Sequence, residues 1–225
     1  TLKSLRRCAL FTSCSTSPLR SKRDYAIGWK SFSPKLRSGS ELSATELGHR
    51  ETHDLDLFTL EDVMSAGTAA ALEAAKELGG TLEAIQTAPA FRRFLCRRGL
   101  ESIVIDLVRD YVPQVAPEKL VIGGIRVDPP REILANKLCA LLSRSEIRDL
   151  VDVRALELAG YQLEDALKGA ATKDRGLTPA QLGWVLSQIE LGSDLIPPGD
   201  VALDDLRRYL ANLIARLTQQ AYPKP

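Results

Sequence analysis

The chain has 225 residues, of which 44% are hydrophobic and 26% charged, with a net charge of +1. This is the balance of a soluble globular protein with room for one large domain or two small ones. No stretch reaches the roughly 18 uncharged apolar residues of a membrane helix, so no membrane partner is expected.

Aromatic residues make up only 5%, so the core must rest on Leu, Ile, Val and Ala. The four cysteines, Cys8, Cys14, Cys96 and Cys139, form no CxxC, and the two histidines are His49 and His53. That spacing argues against a structural zinc site and fits reduced thiols in a cytoplasmic protein. Charge is uneven along the chain. Residues 1–36 hold eight Lys or Arg against Asp24; taken from 30 basic and 29 acidic residues in all, this leaves 22 and 28 for the remainder. The body of the protein is therefore mildly acidic, and a polynucleotide would have to be met by a local patch.

Residues 1–33 are basic and Ser-rich and read as a solvated, poorly ordered tail. Their Arg-rich, acid-poor composition also fits a targeting peptide, and the opening Thr1 also fits an altered start. From 34 to 128 the texture is that of an α/β core, and from 129 to 225 that of a helical domain.

Ser38-Gly39-Ser40 reads as a turn, Glu41 to Leu47 as a short helix, and His49 to Thr59 as a strand. Ala69 to Leu78 should be a helix ended by Gly79-Gly80. Phe91–Arg97 and Glu101–Arg109 read as strands hinged at Arg98-Gly99, and short strands flank Gly123-Gly124. After Pro129-Pro130 the period becomes helical. Arg131–Ser143 should be followed by a helix capped by Ser145 and stopped at Gly160. Leu163–Ala171, Pro179–Ile189 and Val201–Gln219 complete the series, the last with Leu206, Leu210 and Leu217 on one face.

Asp54 and Asp56 stand at i and i+2, a spacing that on a strand sends both carboxylates to one face, roughly 7 Å apart at Cα. Two like charges on an apolar strand repel each other and resist desolvation. A hard divalent cation relieves both penalties and shares its oxygens with phosphates. A solvent-facing acidic pair is the plainer alternative. Asp106 interrupts the apolar run Ile103 to Val108, and a buried carboxylate needs a partner; a third metal ligand is one. Gly39-Ser40 precedes a predicted helix and offers backbone N–H groups and a hydroxyl to phosphate, or is an ordinary Ser/Gly turn. Lys137 and Arg144 share one helix face, and Asp149 and Asp152 share another, which is equally the pattern of ion pairing between two helices.

Taken in order, four runs resemble the motifs of the AbiEii/AbiGii toxin family. Ser38 to Leu42 with Leu47 to Thr59 is similar to its first, and Val104 to Val108 to its second. Leu134 to Arg144 is similar to its third, and Arg148 to Asp152 to its fourth. The resemblance covers about residues 34 to 190.

The resemblance implies an α+β fold, with a polymerase-β-like nucleotidyltransferase core on a small mixed sheet and a helical C-terminal half. It implies an NTP donor, an acceptor hydroxyl that for such toxins is a tRNA 3′ end, and an antitoxin partner. By the same resemblance, Asp54, Asp56 and Asp106 would bind Mg²⁺ or Mn²⁺, and Gly39 and Ser40 the β- and γ-phosphates. Lys137 would add charge on the phosphates, Asp149 or Asp152 would orient it or contact the base, and Arg144 belongs to the same nucleotide-binding set. Ser38 and Glu41 depart from the small, glycine-rich phosphate turn of the family. That departure motivates one alternative, a relative that binds a partner without catalysis; the Asp pair alone would also suit a DxD glycosyltransferase.

Overall fold

A computed structural model describes residues 37–38, 54–122 and 125–223. The expected tail at 1–33, the Gly39-Ser40 turn, the helix at 41–47 and His49 all lie outside them. Among the described residues, seven strands form one mixed sheet: β1 (Arg37–Ser38), β2 (Asp54–Thr59), β3 (Thr81–Ala88), β4 (Phe91–Arg98), β5 (Glu101–Arg109), β6 (Leu120–Ile122) and β7 (Ile125–Val127). Their order is β3-β4-β5-β2-β1-β7-β6. β2 runs parallel to β5, β4 is antiparallel to β5 and to β3, and β1 joins β2 antiparallel to β7 parallel. Among the described residues, helices α1 (Met64–Glu77), α2 (Pro130–Arg144), α3 (Ile147–Leu158), α4 (Leu163–Lys173), α5 (Pro179–Ser187) and α6 (Leu203–Ala221) complete an α+β architecture.

Packing divides these residues into two compact units, one of the sheet with α1 and one of helices α2 to α6 joined by residues 112–119. In the sheet unit, period-2 alternation decides the core. Leu55, Ile105 and Phe94 are register partners on three adjacent strands, and all are buried. They face α1, whose small residues Gly67, Ala71, Ala74 and Ala75 are buried and let the helix lie close to the sheet. A Cβ added at Gly67 would fall on the Leu107 side chain, which is itself fully buried. Gly67→Val should therefore overpack this contact and destabilise the chain by about 1–3 kcal/mol, read as a lower midpoint in urea unfolding. A midpoint equal to the wild type's would show that α1 can shift at no cost.

Three expectations need correction. β3 was not foreseen: its residues are nearly all exposed at the sheet edge, so no buried stripe marks it, and its pairing to β4 alone defines it. Ser145 does not cap α3. It takes a left-handed backbone (φ 53°) at the end of α2, and its hydroxyl donates to the Leu141 carbonyl at 3.0 Å. Glu146 occupies the N-cap position of α3 instead, without a side-chain capping bond. The helix at 69–78 also begins earlier, at Met64.

The helical unit is built on Leu and Val. Leu206, Leu210, Leu213 and Leu217 line one face of α6, spaced by four, three and four residues, and all are buried. At the start of α2, fully buried Glu132 accepts from the Ala116 N–H at 2.6 Å and pairs with Lys173 and, at 3.7 Å, Lys119. Lys119 also pairs with buried Asp128 at 2.9 Å, and Lys173 donates to the Pro113 carbonyl at 2.9 Å. These bonds tie the connecting segment to α2 and α4. Buried charges persist because each has an opposite partner.

Candidate active site

β2 sorts its side chains by alternation. Leu55, Leu57 and Thr59 are buried while Asp54, Asp56 and Phe58 are half-buried on the opposite face. Its parallel neighbour β5 places Asp106 as the register partner of Asp56, with Asp54 opposite Val104. Strands lie about 4.8 Å apart, so Asp56 and Asp106 are neighbours across the sheet, and Asp54 is one pleat away on the same face. The register thus sets the three predicted carboxylates on one face of the sheet, the face turned away from α1.

The partner that buried Asp106 requires is Arg93, which the motif reading had left out. Arg93 is the register partner of Asp106 on β4, so Asp56, Asp106 and Arg93 form one row across three strands. The guanidinium grips both carboxylate oxygens, Nε to Oδ1 at 2.8 Å and Nη2 to Oδ2 at 2.6 Å. It also stacks on the Phe91 ring at 5.5 Å from the centroid. The hydrogen bond to Asp106 raises the Arg93 pKa against the opposing pull of burial, and the charges of Asp106, Asp56 and Asp54 add to it. One guanidinium therefore sits in the field of all three acids.

A divalent cation suits this face by donor chemistry, since three carboxylates offer the oxygen ligands that Mg²⁺ and Mn²⁺ take. The arrangement does not gather them for one. Among the described residues no three Asp, Glu, His or Cys side chains are placed to hold a metal ion, and Asp106 is engaged by Arg93 on both oxygens. β1 ends at Ser38, the register partner of Leu57. Gly39 and Ser40 themselves lie outside the described residues.

The other four predicted residues come together in the helical unit. Lys137 of α2, 4% exposed, reaches Asp149 Oδ1 at 2.9 Å and Asp152 Oδ2 at 2.7 Å on α3. Arg144 donates Nε to Asp149 Oδ2 at 2.8 Å and Nη2 to Oδ1 at 3.1 Å. Burial pushes the Asp149 carboxyl up, but the Arg144 hydrogen bonds and the Lys137 charge outweigh it and hold it below its ordinary value. These ion pairs pin α2 to α3. Nearby Cys139 is a poor nucleophile, its thiol pushed up to about 11 by burial.

Comparison with known proteins bears on the fold and the family. No curated protein matches the chain by sequence. Among solved structures, it resembles a protein of H. pylori provisionally named a nucleotidyltransferase, with a TM-score of 0.59 at 16% identity over 92% of this chain and 96% of that one. JHP933 of Helicobacter pylori gives a TM-score of 0.58 at 18% identity over 91% and 94%. MenT4, a nucleotidyltransferase toxin of Mycobacterium tuberculosis H37Rv, gives 0.58 at 16% identity over 89% and 82%. At such identities the likeness shows a shared fold. The family profile described as nucleotidyl transferase AbiEii toxin, type IV toxin–antitoxin system, matches residues 42–224. With most of its length so matched, the chain belongs to the AbiEii family of nucleotidyltransferase toxins.

Proposed function

We propose that the carboxylate face of β2 and β5 is the catalytic face of this nucleotidyltransferase, and that it moves a nucleoside monophosphate from an NTP to the 3′ hydroxyl of a tRNA. The observation that carries the reading is the register of Asp56 with Asp106, with Asp54 on the same face of β2. A bound Mg²⁺ or Mn²⁺ would supply Lewis-acid charge to the phosphate oxygens, with Asp54, Asp56 and Asp106 as the residues to hold it.

The remaining roles fall to this chain's own groups. Gly39 and Ser40 offer N–H groups and a hydroxyl to the β- and γ-phosphates. The acceptor oxygen forms a bond to the α-phosphorus as the bond from that phosphorus to the bridging oxygen breaks, and pyrophosphate leaves. The hydroxyl proton passes to a carboxylate of the β2 strand, Asp54 or Asp56.

In the helical unit, Asp149 and Asp152 orient the ammonium of Lys137, the residue to which the family resemblance assigns a phosphate role. Arg144 steadies Asp149 in turn. Buried between two carboxylates, Lys137 is held in a fixed position.

An antitoxin partner follows from the type IV toxin–antitoxin family, and we place the toxin in the cytoplasm, where NTPs and tRNA are found. No helix among the described residues is long and apolar enough to cross a membrane. The test is incubation of the whole chain with each α-labelled NTP and total RNA, followed by separation of the RNA and assay of the released product. Label should appear on tRNA with one pyrophosphate released per transfer. Label on protein alone, or release of nucleoside diphosphate, would overturn the acceptor or the reaction respectively.

A further inference from the structure

The grip of Arg93 on Asp106 is not required to complete the sheet, yet it is a two-bond ion pair on the acidic face. The two hydrogen bonds of 2.8 and 2.6 Å use both carboxylate oxygens. A planar guanidinium matches a carboxylate in this way, and a lysine cannot. The Asp106 side chain is only 9% exposed, whereas that of Arg93 is 43% exposed. The buried partner is therefore fixed, and the more exposed partner is the one with freedom to leave. Phe91 two residues earlier on β4 gives the guanidinium a ring to rest on.

Resting on the reading of this face as a cation site, we infer that Arg93 is a positioning residue that stands in for the divalent cation. It neutralises Asp106 while the face is empty of metal, and it must release the carboxylate for three oxygens to converge on one ion. Guanidinium and cation compete for the same two oxygens. A carboxylate this deeply buried cannot remain without a counter-charge: Arg93 supplies it from β4, and a cation shared with Asp56 would supply it from the β2 side. The toxin then holds its third ligand closed at low cation activity without any change in the backbone.

The experiment is calorimetric titration of the whole chain with Mn²⁺ in the absence of nucleotide, for wild type, Arg93→Gln, Arg93→Lys, Asp106→Asn and the double variant R93Q/D106N. Removing the competing bidentate pair should make R93Q bind Mn²⁺ roughly tenfold or more tightly than wild type. R93K, which keeps charge but loses the fork, should fall between them. The gain must vanish in the Asp106→Asn background, where there is no carboxylate to compete for.

Without cation R93Q should melt below wild type, and saturating Mn²⁺ should close that gap. Equal or weaker binding by R93Q would overturn the competition and leave Arg93 a supporting residue. A gain that persists beside Asp106→Asn would also overturn it, since that is mere loss of a nearby positive charge. If neither wild type nor R93Q binds Mn²⁺, the reading of the face as a cation site fails and this inference fails with it. Wild-type binding with no gain in R93Q refutes the inference alone.

Discussion

Asp56→Asn is expected to lower the rate of nucleotidyl transfer by on the order of 10³-fold, since a ligand to a catalytic cation supplies several kcal/mol of transition-state stabilisation. Asparagine keeps the shape of the side chain but loses its charge. Asp56 is half-buried on the face away from α1, so the core of Leu55, Leu57 and Leu107 is untouched. The thermal midpoint should stay within about 2 °C of wild type, as for a substitution outside the core. Asp54→Ala should behave alike, and combining the two should add little, because groups that act as a unit are not additive. The measurement is the initial rate of label incorporation beside a thermal melt of the same preparation. A D56N rate within about tenfold of wild type would remove Asp56 from the reaction. A collapse of both rate and midpoint would instead assign it to folding.

In the helical unit the larger effect is on stability. Asp149 is wholly buried and holds Lys137 and Arg144 at once. Asp149→Ala takes one carboxylate from Lys137, which keeps Asp152, and both fork bonds from Arg144, which keeps Glu146 at 3.7 Å. Breaking a buried pair from one side costs about 3–5 kcal/mol, and the remaining Asp152 contact places this variant near the lower value. For a chain of this length, about 3 kcal/mol is a fall in Tm of roughly 6–12 °C.

The pH dependence follows from the same geometry. Asp149 is held below its ordinary value despite burial, and Glu132 likewise, through Lys173 and the Ala116 N–H. A carboxyl whose folded pKa is depressed stabilises the fold above its unfolded value of about 4. That contribution disappears as pH falls through the folded value. Unfolding free energy should therefore be flat for these groups from about pH 5 upward and drop in acid, with a shallower acid slope in Asp149→Ala. An equal slope in both proteins would show that Asp149 is not depressed. The Lys137 pairs also bear on function, since a destabilised D149A that keeps full transfer activity in the cold would confine the cluster to structure.

Much of the fold was legible because its periodicities are strong. The strand at Asp54–Thr59 and the helices from Pro130 to Ala221 follow from apolar spacing, and Gly79-Gly80 and Gly160 mark ends where expected. β3 escaped because an edge strand with exposed side chains carries no buried stripe. Ser145 escaped because a serine between two helices serves equally as the end of one or the start of the next, and the backbone angle decides.

Arg93 shows where legibility could have been extended. The hinge expected at Arg98-Gly99 pairs Arg98 with Glu101, and counting back along both strands puts Arg93 opposite Asp106. The register was available in the turn, yet an arginine in a strand rich in arginine does not announce its partner.

By itself the sequence determined the family, through four motifs in order, and the alternation that sets Asp54 and Asp56 on one face of a strand. Those are local properties: spacing along the chain and the pleat of a β-strand fix them without reference to distant residues. What only the tertiary structure decided is which groups meet. Asp106 joins Asp56 because β5 lies parallel to β2 in one particular register, and a shift by one residue would turn it into the core. Its counter-charge comes from Arg93, and the Lys137 ammonium is shared between Asp149 and Asp152, because strand pairing and helix packing bring together charges far apart in sequence. Burial then makes each partnership obligatory, since a charge taken from water must find its opposite.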